Sequence, residues 1–303
     1  MTELTLACWD YDRAIPIFEG SVKLGGFDLR CHIESPGTLF PLSVTKAPFD
    51  ITELSFASYL IQLSRDESPY VGLPIYLSRA FRHGAIYVRK ASGIKCPKDL
   101  EGRVVGVPEY AMTLAVWVRG ILSDDYGVDT DKLKYRTGDL NEPGRTERLN
   151  LNIPSHIELE ELGPSVSLNE AILDGQLDAI ISPAPPRAFS DGDGKVFRLI
   201  DPAGPAEREY FERTKIFPPM HIVGIKKTTV INDTSYVIDH IFSNLDTNKK
   251  YNLLWNEGIE PTEKNIQDDL TMLSLFAEKD KSYHSETIDD VNEMFNYSNV
   301  GWA

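Results

Sequence analysis

Residue types able to do acid–base or anion chemistry are concentrated in one short segment, Ser78-Arg79-Ala80-Phe81-Arg82-His83-Gly84. It is flanked by apolar Ile75-Tyr76-Leu77 and Ala85-Ile86-Tyr87-Val88. Guanidinium forks bind carboxylates in a bidentate way that lysine cannot, and an imidazole titrates near neutrality. The segment therefore reads as an anion site with a proton-active group beside it. Its competing reading is a solvated loop whose arginines pair with surface acids, an arrangement that contributes little.

Composition narrows the partners. The 303 residues carry 31 Lys and Arg against 46 Asp and Glu, for a net charge of −15. A sequence-independent grip on a phosphate backbone or an anionic bilayer is disfavoured by that balance. No nucleic-acid or membrane partner is expected, and the oligomeric state, a homo-oligomer included, stays open. Cys8, Cys31 and Cys96 are far apart and odd in number, so neither a zinc site nor a disulfide framework is indicated. The first residues carry neither a basic stretch nor an apolar run of signal length, and no apolar run reaches membrane-spanning length. A cytoplasmic location is the expectation.

The elements that must position the segment alternate between strand and helix. Strands are predicted at Leu4 to Trp9, Phe27 to Ile33, Phe49 to Leu54, Leu73 to Leu77, Gly84 to Arg89, Arg103 to Pro108, Leu133 to Thr137, Ile157 to Leu162, Asp178 to Ser182, Val196 to Ile200 and Ile222 to Lys226. Helices are predicted at Ala14 to Val22, at Ser55 to Leu63 with Ser55 as cap, at Leu114 to Leu122, Leu168 to Leu173 and Ala206 to Thr214. Further helices are predicted at Ile238 to Leu245, Lys249 to Trp255, Ile266 to Phe276 and from Thr287. This alternation predicts an α/β fold with parallel sheet. Asp10-Tyr11-Asp12-Arg13 lies beyond the first strand, where ligand sites of open α/β sheets gather. Thr113 ends the loop before a helix whose first amides suit an anion. The proline-rich Pro183-Ala184-Pro185-Pro186-Arg187 reads as a crossover. On that basis residues 1–85 and 188–303 make a discontinuous first lobe, residues 86–187 an inserted second lobe, and a ligand cleft lies between them.

Several separated motifs agree with one family. They include Tyr11-Asp12-Arg13, Phe49-Asp50-Ile51-Thr52-Glu53-Leu54-Ser55 with Ser58-Tyr59-Leu60, and Ser78-Arg79-Ala80-Phe81-Arg82-His83. Val105-Gly106-Val107-Pro108-Glu109-Tyr110, Trp117-Val118-Arg119-Gly120-Ile121-Leu122, Tyr126-Gly127-Val128 and Asp174-Gly175-Gln176-Leu177-Asp178-Ala179 continue the series. Tyr210-Phe211 and Ile216-Phe217-Pro218-Pro219-Met220-His221 complete it. In their order and spacing the chain resembles the 4,5-dihydroxyphthalate decarboxylase family. That resemblance implies a type 2 periplasmic-binding-protein-like fold and a lyase of aromatic catabolism and phthalate degradation.

The implied chemistry removes a ring carboxylate as CO₂ and returns a proton to the ring carbon, so the protein must supply orientation, an acid and a base. A phthalate has two adjacent carboxylates, for which Arg79 and Arg82 form the leading clamp, with Arg119 and Arg187 in reserve and Arg13 and Ser78 nearby. His83 and His221 are the histidines inside matching motifs and the candidate proton donors. A histidine at a strand start is also a common structural element. His32, His156, His240 and His284 are read as ordinary. Glu53 is suited to orient a histidine or take a phenolic proton, or else to cap the helix that follows. Tyr11, Phe81 and Trp117 are candidate ring walls that would serve equally as core. No His, Asp or Glu spacing spells a metal site, so no cofactor is expected. Alternatives are a non-catalytic small-anion solute-binding protein and a decarboxylase of another aromatic acid on the same fold.

Overall fold

A computed structural model describes residues 2–232. In chain order it runs β1 (Thr2–Cys8), α1 (Ile15–Phe18), β2 (Phe27–Ile33), α2 (Pro36–Thr45), β3 (Ile51–Ser55), α3 (Phe56–Ser64) and β4 (Tyr70–Arg79). There follow β5 (Ile86–Arg89), β6 (Val104–Val107), α4 (Thr113–Tyr126), β7 (Lys134–Thr137), β8 (Leu159–Glu161), α5 (Leu168–Leu173), β9 (Ala179–Ile181), α6 (Arg187–Ser190), β10 (Val196–Arg198) and α7 (Ala203–Thr214). β11 (Pro219–Lys226) and α8 (Lys227–Asn232) come last. The helices expected at 238–245, 249–255, 266–276 and beyond 287, with His240 and His284, lie outside the described residues.

Two sheets form, with strand orders β2-β1-β3-β11-β4 and β10-β5-β9-β6-β7-β8. Apart from the edge strand β8, the second sheet repeats the wiring of the first. β1 lies between β2 and β3, and β6 between β7 and β9, each parallel to both neighbours. An antiparallel strand follows, β11 in one sheet and β5 in the other, and a last strand pairs antiparallel with it. This is the α/β, type 2 periplasmic-binding-protein-like class that the sequence led us to expect.

Among the described residues, one compact unit comprises 2–80 with 219–232 and the other comprises 81–218. The sequence placed the return to the first lobe at 188. β10 and α7 nevertheless belong with the second unit, because β10 pairs with β5, Val196 opposite Arg89. The proline-rich segment leads only into α6, and the chain re-enters the first sheet at β11.

Local chemistry explains most element ends. Ser35 caps α2 by accepting from the Thr38 amide, with Pro36 preset at the first helical position. Ser167 and Glu170 close a reciprocal capping box on α5. The helix expected from Ala14 to Val22 stops at Phe18, and the chain then passes through Gly20 at φ 72°, a left-handed conformation that ends a helix. Ser55 takes the cap position of α3 but makes no side-chain cap bond; its hydroxyl instead accepts from Ser58 at 3.2 Å. At Gly72 a Cβ would sit 2.7 Å from the Tyr59 ring, so only glycine lets α3 lie this close to β4.

In the first unit Leu4, Leu24, Ile51, Leu73, Val223 and Ile225 form one buried cluster, and Ala7, Leu39 and Phe40 form another. β3 is buried along its whole length. A central strand of that kind is ordinarily apolar, and Glu53 in its middle requires polar partners. Among the described residues no helix is long and apolar enough to cross a membrane.

Candidate active site

Glu53 finds its partners through sheet register. On β11, His221 lies opposite Ser55 and Val223 opposite Glu53. Side chains two apart on a strand share a face, and a diagonal pair across neighbouring strands is within reach of long side chains. Glu53 and His221 are such a diagonal pair, and Nδ1 of His221 lies 2.6 Å from Glu53 Oε1.

The other side of β11 is irregular. Pairing with β4 shifts on both sides of His221, so that Leu73 to Ser78 lies opposite the much shorter Val223 to His221. Pro74, which lacks the N–H a ladder needs, falls inside this irregular stretch. Bulges of this sort re-aim side chains beside functional sites. Ser78 is left as the direct cross-strand partner of His221, and Arg79 lies opposite Pro219.

The end of β1 supplies the remaining contacts. The Trp9 amide donates to Glu53 Oε2 at 2.9 Å, and the Tyr11 hydroxyl donates to Oε1 at 2.5 Å. Glu53 is fully buried. Burial opposes its ionisation, but the bonds from His221, Tyr11 and Trp9, together with the His221 charge, outweigh it and hold the carboxyl below its ordinary range. An ionised Glu53 accepts a hydrogen bond from the Nδ1–H of His221, which leaves Nε2 as the nitrogen free to exchange a proton. With Nδ1 so engaged, the 3.2 Å approach of the Tyr11 oxygen to it is packing. Phe40 meets the imidazole edge to face at 4.8 Å. The His221 side chain keeps 18% exposure, and Nε2 makes no hydrogen bond among the described residues. A carboxylate that fixes tautomer and ring orientation, paired with an imidazole open at its far nitrogen, can run general acid–base chemistry.

Proteins of known activity match this chain at length. The 4,5-dihydroxyphthalate decarboxylase of Comamonas testosteroni is 36% identical over 226 residues, spanning 75% of this chain and 68% of that protein. The 4,5-dihydroxyphthalate decarboxylase of Pseudomonas putida is 36% identical over 208 residues, 68% of this chain and 81% of that protein. The chain belongs to the 4,5-dihydroxyphthalate decarboxylase family. With that membership it is an enzyme, a carboxy-lyase. No family model matches it. Solved structures that align with this family member include the periplasmic aliphatic sulphonate binding protein SsuA from Escherichia coli, 12% identical at TM-score 0.46 over 97% of this chain and 99% of that one.

Most other expected site residues of this decarboxylase-family chain fall in the second unit, each in its own setting. His83 begins a single 3-10 turn and is 2% exposed, its ring edge to Tyr210 at 5.3 Å. Its Nδ1 makes no hydrogen bond among the described residues. Burial lowers its pKa, with Asp125 opposing and Arg213 assisting. Arg82 precedes that turn. Phe81 joins an aromatic group with Phe217, Tyr210 and Phe211. Arg119 stacks on Tyr110 at 3.9 Å and donates to its carbonyl at 2.9 Å. Thr113 and Trp117 are buried in α4, and Arg187 pairs with Glu142 at the surface. Arg13 is in the 3-10 turn Asp12–Ala14 of the first unit.

Sequence reasoning singled out neither Trp9 nor Phe40, and it passed over a buried charge cluster beyond β6. There Glu109 forms ion pairs with Arg145 at 3.0 Å and Arg148 at 2.5 Å, while Glu147 accepts from the Tyr110 amide at 2.6 Å. Burial first, then the Glu109 charge, pushes the Glu147 carboxyl up to about 7, against the pull of the Tyr110 and Ala111 amides and Arg148. The available signal was Glu109 within its motif. Among the described residues no group of three or more His, Cys, Asp or Glu side chains is placed to hold a metal ion.

Proposed function

We propose that this enzyme decarboxylates a hydroxylated aromatic dicarboxylate, 4,5-dihydroxyphthalate, to 3,4-dihydroxybenzoate and CO₂ without a cofactor. The observation that carries the reading is the Glu53–His221 couple, a buried carboxylate 2.6 Å from an imidazole whose other nitrogen is open. The two relatives, both 4,5-dihydroxyphthalate decarboxylases, support the substrate.

In this reading the His221 imidazolium gives its Nε2 proton to the ring carbon that bears the departing carboxylate. The hydroxyl para to that carbon releases electron density into the ring as the proton arrives. The bond to the carboxylate then breaks, its electron pair restores aromaticity, and CO₂ leaves. A solvent proton returns to the imidazole, so each turnover consumes one proton. Glu53 stays ionised throughout and holds the Nδ1 proton and the ring plane. His221 suits the donor role better than His83, because Glu53 fixes its ring through Nδ1 and leaves Nε2 open, whereas the buried His83 ring has no hydrogen-bonded carboxylate among the described residues to orient it. Arg79, one residue beyond the serine that faces His221, supplies a carboxylate-binding fork.

The test is to incubate the protein with phthalate, 4-hydroxyphthalate and 4,5-dihydroxyphthalate, with and without a strong chelator, and follow CO₂. Release from the dihydroxylated acid, unchanged by chelator, is expected. Binding across the panel without release would overturn the decarboxylase reading, and loss of release with chelator would overturn its cofactor independence.

A further inference from the structure

Four large apolar side chains are exposed among the described residues: Trp9, Ile15, Ile33 and Leu173. Trp9 is the aromatic one, and it is 47% exposed although its own amide is bonded to buried Glu53. An indole in water contributes little to the core, and its surroundings restrict where it can go. The residue leaves β1 at the strand's C-terminal end, where ligands of open α/β sheets gather. Its ring stands edge to face on Tyr11, centroids 5.9 Å apart at 73°. Tyr11 is itself tied to Glu53 at 2.5 Å. Backbone and ring are thus both referenced to the carboxylate that orients His221.

We propose that Trp9 is the platform on which the planar ring of the substrate stacks, and so a specificity-determining residue of the reaction. The inference rests on the decarboxylase reading above. Offset stacking on an indole face favours a flat, conjugated acid over a puckered one of equal charge. A platform fixed to the Glu53 network would also set the height of the ring carbon relative to Nε2 of His221.

The experiment compares wild type, Trp9→Phe and Trp9→Ala for calorimetric binding of two diacids: 4,5-dihydroxyphthalate and the non-planar cyclohexane-1,2-dicarboxylate. CO₂ release and thermal melting are followed in parallel. Trp9→Ala should weaken the planar acid about tenfold and the puckered one less than about twofold, while Trp9→Phe should keep planar affinity within about threefold. Melting temperatures should agree, and the phenylalanine variant preserves the test if the alanine variant misfolds. Equal losses for both acids, or no loss for the planar one, would overturn the platform. Wild type that binds the planar acid through Trp9 but releases no CO₂ would uphold the platform and sink the decarboxylase reading. Turnover indifferent to Trp9 would do the reverse, and wild type that binds neither acid would overturn both.

Discussion

β1 and β6 occupy corresponding places in the strand orders of the two sheets, and each runs into a buried carboxylate network. Past β1, Trp9 and Tyr11 reach Glu53, whose partner across the sheet is the His221 imidazole. Past β6, Glu109 meets Arg145 and Arg148, with Glu147 beside it. The difference lies in what the partner can release. An imidazole gives up and regains a proton near neutral pH, whereas a guanidinium stays charged in any protein. The first network can therefore take part in proton transfer. Glu109 can only bind its arginines, and through them it holds the loop from Gly138 to Arg148 against the end of β6. A shared topological position offers a place for chemistry, and the choice of base decides whether chemistry occurs there.

The sharpest way to break this comparison is to remove the titratable pair. His221→Ala and Glu53→Gln should each lower kcat by about 10²–10⁴, with substrate Kd shifting only a few-fold, as read by single-turnover CO₂ release and calorimetry. Full turnover in both variants would end the proton-transfer role. Glu109→Ala should act on stability instead. It leaves two guanidiniums without their buried counter-charge, at a cost of about 3–5 kcal/mol in urea unfolding. Turnover lost at unchanged stability would show that the second network is catalytic after all.

The smallest effect separates the two networks by pH. The Glu147 carboxyl is raised from 4.5 to about 7, so between those values the folded chain keeps a proton that the unfolded chain releases. Its stabilisation is full below 4.5 and is lost as pH rises toward 7. Glu53 runs the other way. Its depressed pKa gives stability that is present above the ordinary carboxylate range and lost as acid protonates it. Glu147→Gln, an uncharged mimic of the protonated acid, should melt with wild type at pH about 4 and a few degrees above it at pH about 8. Equal melting at both values would remove Glu147 from the account.

Much of the fold was legible locally. Alternating apolar strands and polar-capped helices announced an α/β chain, and the Ser35 cap and the Gly127 stop at φ 61° are local features. The second unit's extent was less so. Pro183 to Pro186 has the composition of a crossover, yet the pairing of β10 with β5 is a long-range hydrogen-bonding choice that no proline can report. Glu53 and His221 were each legible as candidates, while the bond from the Tyr11 hydroxyl to Glu53 was not. Trp9 went unnoticed because a tryptophan closing an apolar strand looks like core, and exposure is a property of packing.

By itself the amino-acid sequence determined the strand and helix segments, the acidic balance that disfavours polyanions, and which side chains could carry protons or hold carboxylates. These follow from local propensity and from side-chain chemistry. Only the tertiary structure decided that His221 rather than His83 lies against Glu53. The two residues are 168 positions apart, and they meet because β11 inserts antiparallel between β3 and β4, with its register broken on the β4 side. Register between distant strands is set by the packing of the whole sheet, so no local window contains it.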